Sequence, residues 1–242
     1  MSNPVLNQRV LEQERVLTDE PMSINGAINK TFISLALLLM GSFGTWNLFF
    51  QGAIDKVMTL TTVGFFASII AFIVIMFNKN TLKYMVPVYA LSEGALLGGI
   101  SAMIEQSYPG IAIQAIGLTM MCLFSMLVLY RLGLIKCTEK FRSTLLIATI
   151  SIAGIYLINF IGHFFHMSIP YIFTSSSIGI GFSIVVVAIA ALNLIIDFDF
   201  IEKGAQYLLP KNMEWYGAFG LMVTLVWLYI EILNLLAKMR DR

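Results

Sequence analysis

Residues 192–204 read LNLIIDFDFIEKG, and residues 225–236 read LVWLYIEILNLL. The first stretch ends an apolar run from Ile172 to Ile196, closed by Asp197. The second lies in a run from Trp215 to Ala237 and carries Glu231 inside it. Runs of about 20 apolar residues are what a helix needs to cross a bilayer. An ionisable group at bilayer depth costs roughly 2.5–3.5 kcal/mol or more. Two acids on adjacent segments therefore need a reason. Their placement points to a proton-sensitive ion site, with the rest of the chain as the helical bundle that holds it.

Composition agrees with a bundle in lipid. The chain has 242 residues, 58% of them hydrophobic and 12% charged. A soluble domain carries about 25% charged residues, and the mean hydropathy here is +0.84. The expected class is an all-α polytopic membrane protein and not an enzyme. Net charge is +1 with no basic block, so nucleic acid is excluded as a partner. Cys122 falls in an apolar run and Cys137 in a basic loop, so both read as unpaired thiols. No cleavable signal is expected, because the first 29 residues are polar and the first apolar run lacks a small-residue cleavage pattern at its end.

Outward from the two acids, residues 1–29 form a polar tail, with a short helix conceivable around Val5–Leu17. Residues 30–239 form one seven-helix membrane domain. Its apolar runs fall at about 30–50, 57–77, 84–104, 111–130, 143–164, 172–197 and 214–237. Trp46, Tyr84, Tyr108, Tyr130, Tyr171, Trp215 and Tyr216 lie near run ends, where amphipathic rings prefer the interface. Eleven Lys and Arg fall on the side of the N-terminus and four on the other, three of those at the C-terminus. That places the N-terminus in the cytoplasm. The terminal basic residues leave open six spans and a re-entrant seventh segment.

Helical spacing selects the inward acids. Steps of 4, 7 and 14 back from Asp197 give Asn193, Ala190 and Ser183, one small or polar face. Asp199 lies about 200° round the helix and points elsewhere. From Glu231, steps of −14, −11, −7 and +3 give Gly217, Gly220, Thr224 and Asn234, with Trp227 sharing the stripe. If the sixth helix continues through FIEKGAQYLL and turns at Pro210–Asn212, Asp197 lies 14 residues before Lys211 and Glu231 lies 20 after it. The depth offset is then on the order of 9 Å before tilt. In the third run, Ala90, Gly94, Gly98 and Ala102 recur every four residues, a stripe that lets helix backbones approach closely in lipid. Glu93 sits beside it. It reads either as a third carboxylate lining the site or as an acid hydrogen-bonded to a neighbouring helix. Asn193, Asp199, Asn234 and Glu93 complete the pore-lining or supporting set.

Two carboxylates in a low-dielectric site resist being ionised together. Protonated, they can share a hydrogen bond and clamp two helices. Deprotonated, they repel and offer hard oxygen ligands suited to Ca²⁺. The plainer reading makes Asp197 an interfacial acid and Glu231 an acid hydrogen-bonded to a neighbouring helix. Other constellations are weaker. His163 and His166 (HFFH) lack a third ligand and read as interfacial histidines. The serines of SSSIGIGFS (175–183) have no placed base, and no phosphate-binding loop occurs. No cofactor is expected beyond Ca²⁺ as a bound or transported ion.

MSINGAINKT (22–31), YALSEGALLGGIS (89–101), NLIIDFDFIEKGA (193–205) and MEWYGAFGLMVTLVWLYIEILNLL (213–236) resemble the Bax inhibitor-1/YccA-like family (transmembrane Bax inhibitor motif), in its bacterial branch with a long N-terminal tail. The resemblance covers nearly the whole chain from Met22. It implies seven helices with the seventh central, and a pH-sensing pair of acids on helices six and seven. It also implies a pH-sensitive calcium leak or, in animals, suppression of cell death. Asp197 matches the helix-six acid in Asp-Phe-x-x-Ile, here Asp197, Phe198 and Ile201. Glu231 stands where other branches carry aspartate in a Leu-Tyr-x-Asp context. The expected function is a Ca²⁺ leak channel of the bacterial inner membrane, gated by Asp197 and Glu231. The rival is a non-transporting interaction protein that modulates a membrane protease or a stress or cell-death pathway. A proton-coupled transporter would show internal repeats with broken helices, and no convincing repeat is present.

Overall fold

The computed structural model describes residues 20–165 and 172–241. The expected helix near Val5–Leu17 and His166 lie outside these residues. Among the described residues, seven helices are long and apolar enough to cross a membrane. They are α1 (Ile24–Phe50), α2 (Ile54–Phe77), α3 (Leu82–Ser107), α4 (Ile111–Arg131), α5 (Glu139–Phe164), α6 (Ser177–Gln206) and α7 (Met213–Arg240). A 3₁₀ turn, Lys79–Thr81, leads into α3.

Every expected apolar run is a helix, but the helices outrun their apolar segments. α6 continues nine residues beyond Asp197, and the chain turns at Pro210–Asn212 before α7. Hydropathy marks the thickness of hydrocarbon, whereas a helix ends where its backbone hydrogen bonds end. In the polar extension Lys203 pairs with Asp199 one turn back, at 2.8 Å. At its other end α6 starts at Ser177 instead of 172. There the Ser176 hydroxyl accepts a hydrogen bond from Gly179 N at 3.1 Å, as a capping serine does. Ser23 caps α1 in the same way, accepting from Gly26 N at 3.0 Å. α1 thus begins six residues before position 30, where the first apolar run was expected to start.

The described residues group into two compact units, the first 20–103 with 199–222 and the second 104–165 and 172–198 with 223–241. α6 and α7, at 30 and 28 residues, are long enough to contribute to both. In the first unit the small-residue stripe does what its spacing predicts. Gly94 and Gly98 of α3 lie so close to α1 that a Cβ on either would overlap the backbone of Leu38 or Ser42. Ala90 and Ala102 are fully buried.

The turn after α6 carries Leu208 at φ 54°, a left-handed conformation that costs a non-glycine residue roughly 1–2 kcal/mol. Contacts from the segment before α1 hold it. Met22 N donates to Leu209 O at 2.7 Å, and Pro21 forms an isolated β-bridge with Pro210.

In the second unit, Glu105 near the end of α3 accepts hydrogen bonds from Gly110 N and Ala112 N. Its carboxylate faces the positive end of α4. Thr138 caps α5, accepting from Phe141 N at 3.2 Å.

Candidate functional site

Asp197 and Glu231 both belong to the second unit. Asp197 lies on α6, followed by buried Phe198 and preceded by fully buried Leu194 and Ile195. Its carboxylate accepts a hydrogen bond from the Thr224 hydroxyl of α7. Its other requirement is unmet: Oδ2 is buried with no hydrogen-bond partner. An unsatisfied buried acceptor costs about 1–3 kcal/mol, and more when charged.

Glu231 is held differently. It is 3% exposed, and its Oε1 accepts from the Tyr156 hydroxyl of α5 at 2.7 Å and from Trp227 Nε1 at 3.1 Å. Lys238, two turns on along α7, lies within electrostatic reach. Its ammonium is itself engaged, donating to Ile172 O at 3.1 Å, Gly179 O at 3.3 Å and the Ser183 hydroxyl at 2.9 Å. Arg240 donates to Pro109 O at 2.8 Å and to Gln114 Oε1 at 3.0 Å. Asp241 accepts from the Tyr108 and Ser175 hydroxyls. The polar end of α7 is thus fastened to the segments around 108–114 and 172–183.

The two acids keep separate partners. Thr224, opposite Asp197, lies seven residues before Glu231 on α7, two turns or about 10 Å along the axis. That offset matches the one expected from the continued α6, and no hydrogen bond joins the two carboxylates. Ca²⁺ takes six to eight oxygens, and the two carboxylates do not converge on one chelating site. Among the described residues no group of three or more His, Cys, Asp or Glu could hold a metal ion.

The supporting residues divide. Asn193 stays beside Asp197 on α6 and donates to Thr149 Oγ1 at 3.1 Å and to Ile189 O at 2.8 Å. Asn234 is exposed on the helix surface, so its position in the Glu231 stripe does not bring it inside. Asp199 falls in the first unit, paired with Lys203, and points away from Asp197 as its spacing requires. Glu93 is also in the first unit, beside Ser68 and Tyr89. His163 is exposed at the end of α5.

Tyr156 and Lys238 were not legible as members of the site. A tyrosine within an apolar helix was a usable signal, since a buried hydroxyl needs a partner. Another buried acid is Glu214, in the first turn of α7. It is fully buried, is paired with Lys30 and accepts from Ser23 N at 2.9 Å and the Ser23 hydroxyl at 3.0 Å. Lys211 adds a contact at 3.6 Å.

Seven apolar helices with acids buried on the sixth and seventh are now joined by a direct sequence match. A family model described as Bax inhibitor 1 like matches residues 3–241. The chain belongs to that family. Neither a curated protein nor a solved structure matches it. As a Bax inhibitor 1 like chain with seven candidate spans, it is an integral membrane protein in contact with the lipid bilayer. Within the matched residues, the Glu231 carboxylate accepts hydrogen bonds from Tyr156 and Trp227.

Proposed function

We propose that the protein is a pH-sensitive cation leak, with Ca²⁺ as the transported ion and Asp197 and Glu231 as the ion-binding and proton-sensing groups. The observation that carries this is the buried Asp197 Oδ2 without a partner. Either a proton or a cation would remove its cost, so the two compete for the same oxygen. Glu231 supplies a second oxygen station about two helical turns away. It is held by a phenol and an indole, both of which can release it to a passing ion. Protonation of Asp197 withdraws the first station and closes the path. The protein sits in a bacterial inner membrane with its N-terminus cytoplasmic, an orientation supported by the excess of eleven basic residues over four.

The experiment is Ca²⁺ flux in proteoliposomes across pH 5–8. Asp197→Asn is expected to flatten the pH dependence, and Glu231→Gln to lower flux on the order of tenfold at every pH. Wild-type pH profiles in both variants would sink the proposal. Absence of flux in the wild-type protein would favour the rival reading, an interaction protein that modulates a membrane protease or stress pathway. In that case, deleting residues 1–19 should abolish capture of the partner.

A further inference from the structure

Within the first unit, α2 and α3 enclose a pocket of about 250 Å³ lined by Phe65, Ser68, Ile69, Phe72, Tyr89, Glu93 and Leu96. The lining follows from helical spacing. Positions 65, 68, 69 and 72 share one face of α2, and 89, 93 and 96 share one face of α3. The outer wall is open: Phe65, Ile69 and Phe72 are 45%, 40% and 39% exposed. Because α2 is a membrane span by length and composition, that opening faces the hydrocarbon of the bilayer. The inner wall is closed by Tyr89, 6% exposed, whose ring packs edge-on against Phe219 at 5.1 Å.

One carboxylate projects into this apolar space. Glu93 lies near the middle of α3, with Ser68 as its hydrogen-bonding neighbour and Tyr89 beside it. Among the described residues no lysine, arginine or histidine forms an ion pair with it. Glu93 is half-buried, whereas the buried glutamates, Glu214 and Glu231, are furnished with a cation, with hydrogen-bond donors, or with both. A small metal ion is a poor occupant, since one carboxylate and one hydroxyl fall far short of the six to eight oxygens that Ca²⁺ takes. Three aromatic rings around a single carboxyl group suit an organic ammonium instead, which would hold that group as its carboxylate counter-ion. Its charge meets the carboxylate and the ring faces, and its carbon body fills the apolar remainder. Pockets for drug-sized ligands run to about 300–1,000 Å³, so this one admits a smaller molecule.

We propose that the pocket between α2 and α3 binds a small lipophilic ammonium that enters from the bilayer. Glu93 is its counter-ion, and Phe65, Phe72 and Tyr89 are its aromatic walls. The site is independent of the cation leak proposed for Asp197 and Glu231.

The test uses the full chain in nanodiscs of zwitterionic lipid, titrated calorimetrically with phenethylammonium and with its neutral analogue 2-phenylethanol, after subtraction of the heat from empty nanodiscs. Saturable binding of phenethylammonium, on the order of tenfold tighter than that of 2-phenylethanol, is expected. Glu93→Gln should remove that preference and leave the alcohol unaffected, whereas Asp197→Asn should leave both affinities at wild-type values. Phe72→Leu, which keeps the carboxylate, should weaken the ammonium about threefold by removing one ring face. Equal affinity for amine and alcohol in the wild-type protein, no saturable amine binding, or unchanged amine binding in both Glu93→Gln and Phe72→Leu would overturn the proposal.

Discussion

Two glutamates are buried on α7, one near each end, and they are furnished in different ways. Glu214 in the first unit is paired with Lys30, bonded to the backbone and hydroxyl of Ser23, and approached by Lys211. Lys30 also lies over the ring of Trp215, 5.6 Å from its centroid. Every neighbour there favours a fixed negative charge. Glu231 in the second unit is met directly by a phenol and an indole, both neutral donors, with Lys238 within electrostatic reach but bonded elsewhere. Asp197, in the same unit, has less still, with one carboxyl oxygen unpartnered. A buried acid surrounded by cations fastens elements together. A buried acid left short of partners remains available to a proton or an ion.

Three substitutions break or sharpen this contrast. The largest effect is expected from Lys30→Met, which leaves Glu214 buried without its main cation. Removing one member of a buried pair costs about 3 kcal/mol or more, seen as a lower unfolding midpoint in detergent. An unchanged midpoint would mean that Ser23 and Lys211 suffice and that the contrast is overstated. Tyr156→Phe removes one donor from Glu231 without altering the ring. A loss of about 1.5 kcal/mol is expected by the same measurement, together with a changed Ca²⁺ flux, an outcome with no counterpart at Glu214. The smallest effect on stability belongs to Asp197→Asn. The amide keeps the shape and the Thr224 contact while removing a charge that lacks a partner, so stability should shift by less than about 1 kcal/mol. A loss as large as that of Lys30→Met would show that Asp197 is structural.

The seven helices and the close-packing face of α3 were legible because each depends on a one-dimensional pattern, whereas α1 as the partner of that face was not. An apolar run near 20 residues reads as a span, and small residues at every fourth position read as a close-packed face. Gly94 and Gly98 meet the α1 backbone accordingly. The same spacing puts Asp197 and Asp199 on different faces of α6, and Asp199 pairs with Lys203 one turn on. Stripe membership misled at Asn234, which shares the Glu231 face by periodicity and is nonetheless exposed.

By itself, then, the sequence determined an all-helical membrane protein of seven apolar runs, with acids on its last two; their offset of about two turns followed only once α6 ran on past Asp197. Those properties follow from hydropathy and helical pitch, which are local. The tertiary structure alone decided which partners each acid has. Tyr156 lies 75 residues from Glu231, and Lys30 lies 184 from Glu214. No periodicity within a helix can announce such pairs. The chemistry of a buried charge is set by the donors that packing brings to it, and packing joins residues that the chain keeps far apart.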